Sequence, residues 1–306
     1  MKPEHEAQRI DLRACLQHRT SSKKPNCSRR KIMEALEIKG GDGLSLHARR
    51  YGNRAGRPIV FLHGWSQHHL AFAQQYEGAL AQNCDLIGLD LRGHGASDAP
   101  AGAQHYADGD LWADDLHGVI DQLALASPII VAWSYGGLVL ADYLRKYGDA
   151  ALGGVNFVGA ALVIGKDYIG PYTGETFVKY ASKGMSKDPV KALYGMIDFV
   201  HACGVKPVPK ETIERFIAFN MLVRPDVRRA VSAREADYRP VLADLRKPAL
   251  FSHGAADTVI MPRMTSEAAE IAPNARISWY EGAGHMPFIE DQARFDCELA
   301  AFAESC

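Results

Sequence analysis

Six short apolar runs recur along this chain, with helix-spaced apolar residues between them. They are PIVFLHG (58–64), CDLIGLDLRG (84–93), PIIVAWS (128–134), GGVNFVGAAL (153–162), PALFSHG (248–254) and ARISWYEG (275–282). Short unbroken apolar runs, rather than alternating ones, are the mark of strands buried on both faces. Leu111, Asp115-Leu116, Val119-Ile120 and Leu123 recur at threes and fours, as do Leu138, Ala141 and Leu144, which is helical spacing. Strand-helix alternation over this length predicts an α/β fold: a mostly parallel twisted sheet with helices on both faces. EALEIKG and LSLHARRYG add a β-hairpin around Gly40-Gly41-Asp42-Gly43.

The alternation breaks once. Residues 165–240 hold no convincing strand, space their Met, Phe and Tyr residues at helical intervals, and are punctuated by Pro171, Pro189, Pro207, Pro209 and Pro225. That segment is expected to be a helical cap inserted above the C-terminal strand ends. The core is then 33–164 with 241–306. Residues 1–32 form a basic extension that cannot bury enough surface to order itself. Residues 1–31 contain nine Lys/Arg against three acids, +6 in a chain of net −1, so the rest carries −7. The extension reads as a solvated tail, as sequence ahead of a true start at Met33, or as a targeting arm.

A net charge of −1 gives no argument for nucleic acid or an acidic membrane as partner. No run approaches the ~18 apolar residues of a membrane span. The six cysteines are scattered and form no Cys-x-x-Cys pair, which predicts reduced thiols in a cytoplasmic protein rather than a zinc site or a disulfide framework.

IIVAWSYGGLVLADYL (129–144) stops a strand pattern at a serine and starts a helix two residues later. A nucleophile on such a corner needs small neighbours, because its backbone is strained and bulk at two residues before or after would clash. Ala132 stands where the usual Gly-x-Ser-x-Gly has its first glycine, and Gly136 and Gly137 follow. Ser134 is therefore either a nucleophile or an ordinary turn serine, and the motif alone leaves both open. The later loops supply partners in the order serine, acid, histidine. Asp257 lies in FSHGAADTVI, His285 in WYEGAGHMPFIE, and 28 residues separate them, enough for one helix and one strand. His285 would take the hydroxyl proton, and Asp257 would fix its tautomer. A tetrahedral oxyanion needs aimed N–H donors, expected from the backbones of Tyr135 and Trp65. His63 is expected to hold the loop after it. His68 and His69 lack a third ligand, so no metal is assigned. Trp133, Tyr135, Phe177, Met196 and Phe199 are the candidate pocket residues.

HGW at 63–65, DLRGHGASD at 90–98, AWSYGG at 132–137, SHGAAD and GAGHMPF together resemble the α/β-hydrolase fold superfamily, in its haloperoxidase- and esterase-like branch with a helical cap. The likeness covers nearly everything from residue 34 onward. It implies that Asp90, Arg92, Gly93, His94, Gly95 and Ser97 are a packing element and not catalytic. Members that open C–X or epoxide C–O bonds carry aspartate at the nucleophile position; this chain carries Ser134. The resemblance thus implies a cofactor-free serine hydrolase acting on a small-molecule carboxylic ester, lactone or thioester through an acyl-enzyme. Perhydrolysis or acyl transfer on the same triad is the alternative. A non-catalytic ligand receptor on the same fold is the alternative of another class.

Overall fold

The structure, a computed structural model, describes residues 33–306; the extension at 1–32 lies outside the described residues. Ten strands run in chain order: β1 Glu34–Lys39, β2 Ser45–Gly52, β3 Arg57–Leu62, β4 Cys84–Leu89, β5 Ile129–Trp133, β6 Gly154–Val158, β7 Val163–Ile164, β8 Ala236–Asp237, β9 Ala249–Gly254 and β10 Ala275–Tyr280. Eight of them form one sheet ordered β1-β2-β4-β3-β5-β6-β9-β10, in which only the pairings of β2 are antiparallel. The six apolar runs are the six parallel strands, and the hairpin supplies the edge.

Central strands β5 and β6 are buried along their whole length, and Ala132 pairs with Leu62 on one side and Phe157 on the other. Each buried Val, Ile or Phe there contributes roughly 1.5–3 kcal/mol of transfer free energy. Helices cover both faces. Asp108 caps α1 (Gly109–Gln122) by accepting the Asp110 N–H at 2.9 Å. The buried face of α1, Trp112, Leu116, Val119 and Ile120, packs beside α2 (Gly136–Tyr147). Gly148 at φ 68° ends α2, where a left-handed residue closes the helix.

The cap is four helices: α3 Glu175–Gly184, α4 Pro189–Cys203, α5 Lys210–Leu222 and α6 Pro225–Ser232. The segment is not wholly without strand, contrary to expectation. Two-residue β8 pairs antiparallel with β7, Val163 opposite Asp237, where the chain leaves and re-enters the core. Too short to show a pattern, that pairing exists because the two ends of an insertion must meet. After the cap come α7 Arg263–Ile271 and α8 Gln292–Ser305.

Cys84, Cys203 and Cys306 are free thiols. Cys297 is disulfide-bonded, which departs from the expectation of reduced cysteines throughout. No helix among the described residues is long and apolar enough to cross a membrane.

Candidate active site

Ser134 leaves the end of β5 with φ 54°, in the left-handed region that costs a side-chain-bearing residue on the order of 1 kcal/mol or more. The corner is over-determined. Ser134 donates its N–H to Val158 O at 3.0 Å, and its carbonyl accepts from Gly137 and Ala161, both at 2.9 Å. The two following glycines are required by space: a Cβ on Gly136 would lie 2.6 Å from Leu62 O, and one on Gly137 2.6 Å from Ala161 O. Ala132, two residues earlier, is paired between β3 and β6 and its methyl is fully buried, so the missing glycine leaves the corner intact.

Asp257, in the loop after β9, is buried. Its Oδ1 accepts from the Val259 and Ile260 N–H groups at 2.8 and 3.1 Å, and its Oδ2 accepts from His285 Nδ1 at 2.7 Å. His253 Nε2 lies 3.2 Å from the same oxygen. Burial opposes the carboxylate's charge, but His285 and His253 beside it hold its pKa below the ordinary value. The His285 backbone is pinned from two sides. Its N–H donates to Cys203 O in the cap at 2.8 Å, and its carbonyl accepts from Trp133 Nε1 at 2.9 Å. With Nδ1 committed to Asp257, Nε2 is the ring nitrogen left for the pocket. Gly159, φ 46°, closes the back: a Cβ there would stand 3.3 Å from both Asp257 Oδ2 and His285 Nδ1.

The HGW loop approaches the serine closely, since a Cβ on Gly64 would lie 3.1 Å from Ser134 Cβ. His63 does hold this loop: Nδ1 donates to Gly64 O at 2.8 Å, and Nε2 accepts the Leu91 N–H at 3.1 Å. That pair of bonds requires neutral imidazole, and burial accordingly pushes its pKa well down. His94 repeats the device, Nδ1 to Arg92 O at 2.9 Å and Nε2 from the Ser66 N–H at 3.2 Å, with burial lowering its pKa to about 4. Among the described residues, the buried N–H groups of Trp65 and Tyr135 hydrogen-bond to no protein acceptor.

His68 and His69 do have a third neighbour. Asp90, just after β4, places a carboxylate oxygen within 4.8 Å of both imidazoles. Most of the donor atoms are already engaged, however; the exception is His68 Nε2, 3.6 Å from Asp90 Oδ2. His69 Nδ1 and N–H both bond Asp90 Oδ1, at 2.8 and 2.9 Å, His69 Nε2 meets Tyr51 Oη, and His68 Nδ1 accepts the Leu70 N–H. The Asp90 carboxylate also accepts from the Ala96 N–H. The cluster staples β4 to the loop after the HGW motif.

One cleft brings together Gly64, Trp65, Trp133, Ser134, Phe199 and His285. Three pocket expectations need correcting. The Tyr135 side chain lies off the lining, edge-on to Trp112, with its hydroxyl accepting from Arg234 at 3.2 Å. Met196 is fully buried but stands in the α3–α4 interface, its methyl against Gly184, where a glycine leaves room for it. Phe177 packs edge-on to Trp65 and Phe199, with ring centres 5.2 and 5.8 Å away, one layer behind the lining. The lining residues missed in the sequence are Gln67, Val200, Cys203, Phe216 and Met286. Gln67 stands two residues after the HGW motif and Met286 inside GAGHMPF beside His285, so both were legible by adjacency; the cap residues had no such signal. The free space is about 10 Å³, room for roughly one water. Gln67 Oε1 is buried there without a hydrogen-bond partner.

A family described as alpha/beta hydrolase fold matches residues 57–292. Among solved structures, the esterase RhEst1 from Rhodococcus sp. ECU1013 is similar at TM-score 0.83 and 35% identity, covering 89% of this chain and 98% of that one. The non-heme chloroperoxidase CPO-A1 of Kitasatospora aureofaciens is 28% identical over 85% of this chain and 96% of its own length. A pimeloyl-[acyl-carrier protein] methyl ester esterase of Chromobacterium violaceum is 26% identical over 82% of this chain and 95% of its own.

Proposed function

Because this chain belongs to the α/β-hydrolase fold family, we propose that it is a cofactor-free serine hydrolase cleaving small carboxylic esters through an acyl-enzyme. The observation that carries this reading is the 2.7 Å bond between Asp257 and His285 Nδ1, with His285 and a strained Ser134 on one cleft. In the proposed reaction Ser134 Oγ attacks the ester carbonyl while His285 Nε2 takes its proton. Asp257 holds the tautomer and stabilises the imidazolium. The N–H groups of Trp65 and Tyr135 receive the oxyanion, a role that agrees with their having no other protein acceptor. Collapse expels the alcohol, which leaves with the proton from His285. Water, deprotonated by His285, then releases the acid.

The bulky lining of Trp133, Phe199, Phe216 and Met286 supports a short acyl group over a long one. The unpaired Gln67 Oε1 supports a substrate with a hydrogen-bond donor near the ester, since a buried acceptor left bare costs about 1–3 kcal/mol. Lactones and thioesters present the same carbonyl and belong to the same reading. The test is labelling by a fluorophosphonate probe alongside turnover of p-nitrophenyl acetate, butyrate and hexanoate. Both activities should be present in the wild type, with acetate preferred, and absent in Ser134→Ala. A folded wild type that takes no label would leave the ligand-receptor alternative in its place.

The likeness to a non-heme chloroperoxidase favours a second use of the same acyl-enzyme. Hydrogen peroxide in place of water would attack the acyl-Ser134 carbonyl and release a peracid, with Ser134 regaining its proton from His285. Peracid formation from acetate and peroxide, lost in Ser134→Ala, is the measurement.

A further inference from the structure

Arg228, in the last cap helix, is 1% exposed and has no carboxylate partner among the described residues. Its guanidinium donates instead to three oxygens from three places. One nitrogen bonds Gly184 O at the C-terminal end of α3, another bonds Asn220 O near the end of α5, and Nε bonds Ser66 Oγ at 3.0 Å. Carbonyls at helix C-termini carry partial negative charge, which is what a buried cation needs in place of an anion. Burial lowers the Arg228 pKa to about 10, so it remains charged at neutral pH. Its other nearby polar contacts reinforce the junction: Trp65 Nε1 donates to Arg228 O at 3.5 Å, and Ser66 Oγ to Asn220 O at 3.5 Å.

Ser66 is the residue after Trp65, and it too is held at positive φ, 58°. Its N–H is fixed from the core side by His94 Nε2 and its hydroxyl from the cap side by Arg228. A buried charge is an expensive filler; an apolar residue of similar size would pack two helix ends and a loop at lower cost. What only the guanidinium does is tie two cap helices to the loop bearing the Trp65 N–H.

We propose that Arg228 is a positioning residue that sets the oxyanion loop, so that the Trp65 donor is aimed only when the cap is seated. This rests on the serine-hydrolase reading above. A loop misplaced by an ångström loses transition-state stabilisation while ground-state binding is kept, and loss of one oxyanion donor costs about 10²–10³ in kcat.

The test uses the full chain with Arg228→Lys, Arg228→Met and, from the loop side, Ser66→Ala, which leaves every cap residue unchanged. Steady-state kinetics on p-nitrophenyl acetate, fluorophosphonate labelling rate and inhibition by a short alkyl boronic acid are read together. Arg228→Met and Ser66→Ala are each expected to lower kcat by about 10- to 100-fold, with KM changed by less than threefold. Labelling rate and boronate affinity should fall in proportion, and Arg228→Lys should recover part of the loss. The Arg228→Met/Ser66→Ala double variant should lose little more in kcat than either single one, because both remove the Arg228–Ser66 bond that ties the loop to the cap. Should Arg228→Met fail to fold, Ser66→Ala and Arg228→Lys decide. Folded variants with wild-type kcat and boronate affinity, or losses that multiply in the double variant, overturn the positioning role. Absence of labelling in the wild type overturns the serine-hydrolase reading instead, so the two failures are distinguishable.

Discussion

The cleft has a sheet side and a cap side, and the two are fixed by different forces. On the sheet side the proposed reacting groups sit in loops at strand ends and are held by backbone hydrogen bonds, although the His285 N–H reaches across to Cys203 O in the cap. Ser134 is tied to Val158, Gly137 and Ala161, and Asp257 accepts from two backbone N–H groups of its own loop. On the cap side the lining residues Phe199, Val200, Cys203 and Phe216 stand on helices held mainly by apolar packing, and those helices show solvent Val190, Tyr194 and Leu222. Backbone-determined geometry sets which reaction is possible. Side-chain packing sets which substrate fits, and it can drift by single substitutions without endangering the sheet.

The largest expected effects lie on the sheet side. Ser134→Ala should lower kcat on p-nitrophenyl acetate by about 10⁴-fold or more, with the melting temperature unchanged within a few degrees. Asp257→Asn should cost about 10³–10⁴-fold, because an amide in the carboxylate's place favours the wrong His285 tautomer. Retention of a tenth of the activity in either variant would break the assignment of chemistry to the strand ends.

Next comes the cap. Phe216→Ala removes a ring from the lining, one whose centre is 6.2 Å from that of Trp133. The hexanoate-to-acetate ratio of kcat/KM should rise by about 10- to 100-fold, since each added methylene accommodated is worth ~1–3 kcal/mol. Acetate turnover should stay within a few-fold. If kcat on acetate collapsed while the ratio held, cap and sheet would not divide the labour as described.

That division also explains what could be read from the chain. The strand-end placement of Ser134, Asp257 and His285 was legible from their loops, and the Ser134 corner most of all, because Gly136 and Gly137 have no room for a side chain. Asp90 joining His68 and His69 was not legible, although it lies in the quoted DLRGHG segment. The contact depends on β4 lying beside β3 in the sheet, and sequence order does not state strand order. In the cap, helical spacing marked both Met196 and Phe199 as buried, yet one faces α3 and the other the cleft. The exposed face of α4, Lys191, Tyr194, Asp198 and His201, marks the buried arc, but spacing cannot say which apolar stripe within the arc meets the site. Cys203 and Phe216 were missed for that reason, and Arg228 because a buried arginine without an acid has no sequence signature.

A smaller effect separates the regions by pH. His68 and His94 on the sheet side have pKa values near 4, set first by burial. Unfolded, each would protonate near 6.5. Between pH 6.5 and 4 the unfolded chain therefore binds more protons, and stability falls as pH falls, by about 1.4 kcal/mol per pH unit per histidine. Below about 4 both states are protonated and this slope vanishes. Denaturant midpoints for His94→Asn should start lower at pH 7 but decline less steeply toward pH 4. Equal slopes in variant and wild type would mean that His94 does not carry its burial as a neutral ring.

The smallest effect is expected on the outside of the cap, where Leu222 is 64% exposed at the end of α5. A Leu222→Ser change removes no buried contact and creates no unsatisfied polar group, so stability should stay within about 0.5 kcal/mol and kcat/KM within twofold. This null result matters because Asn220, two residues earlier, lends its carbonyl to Arg228. If Leu222→Ser lowered kcat while leaving KM alone, the end of α5 would be transmitting strain to the oxyanion loop. The boundary between a substrate-fitting cap and a reaction-setting sheet would then run through α5 itself.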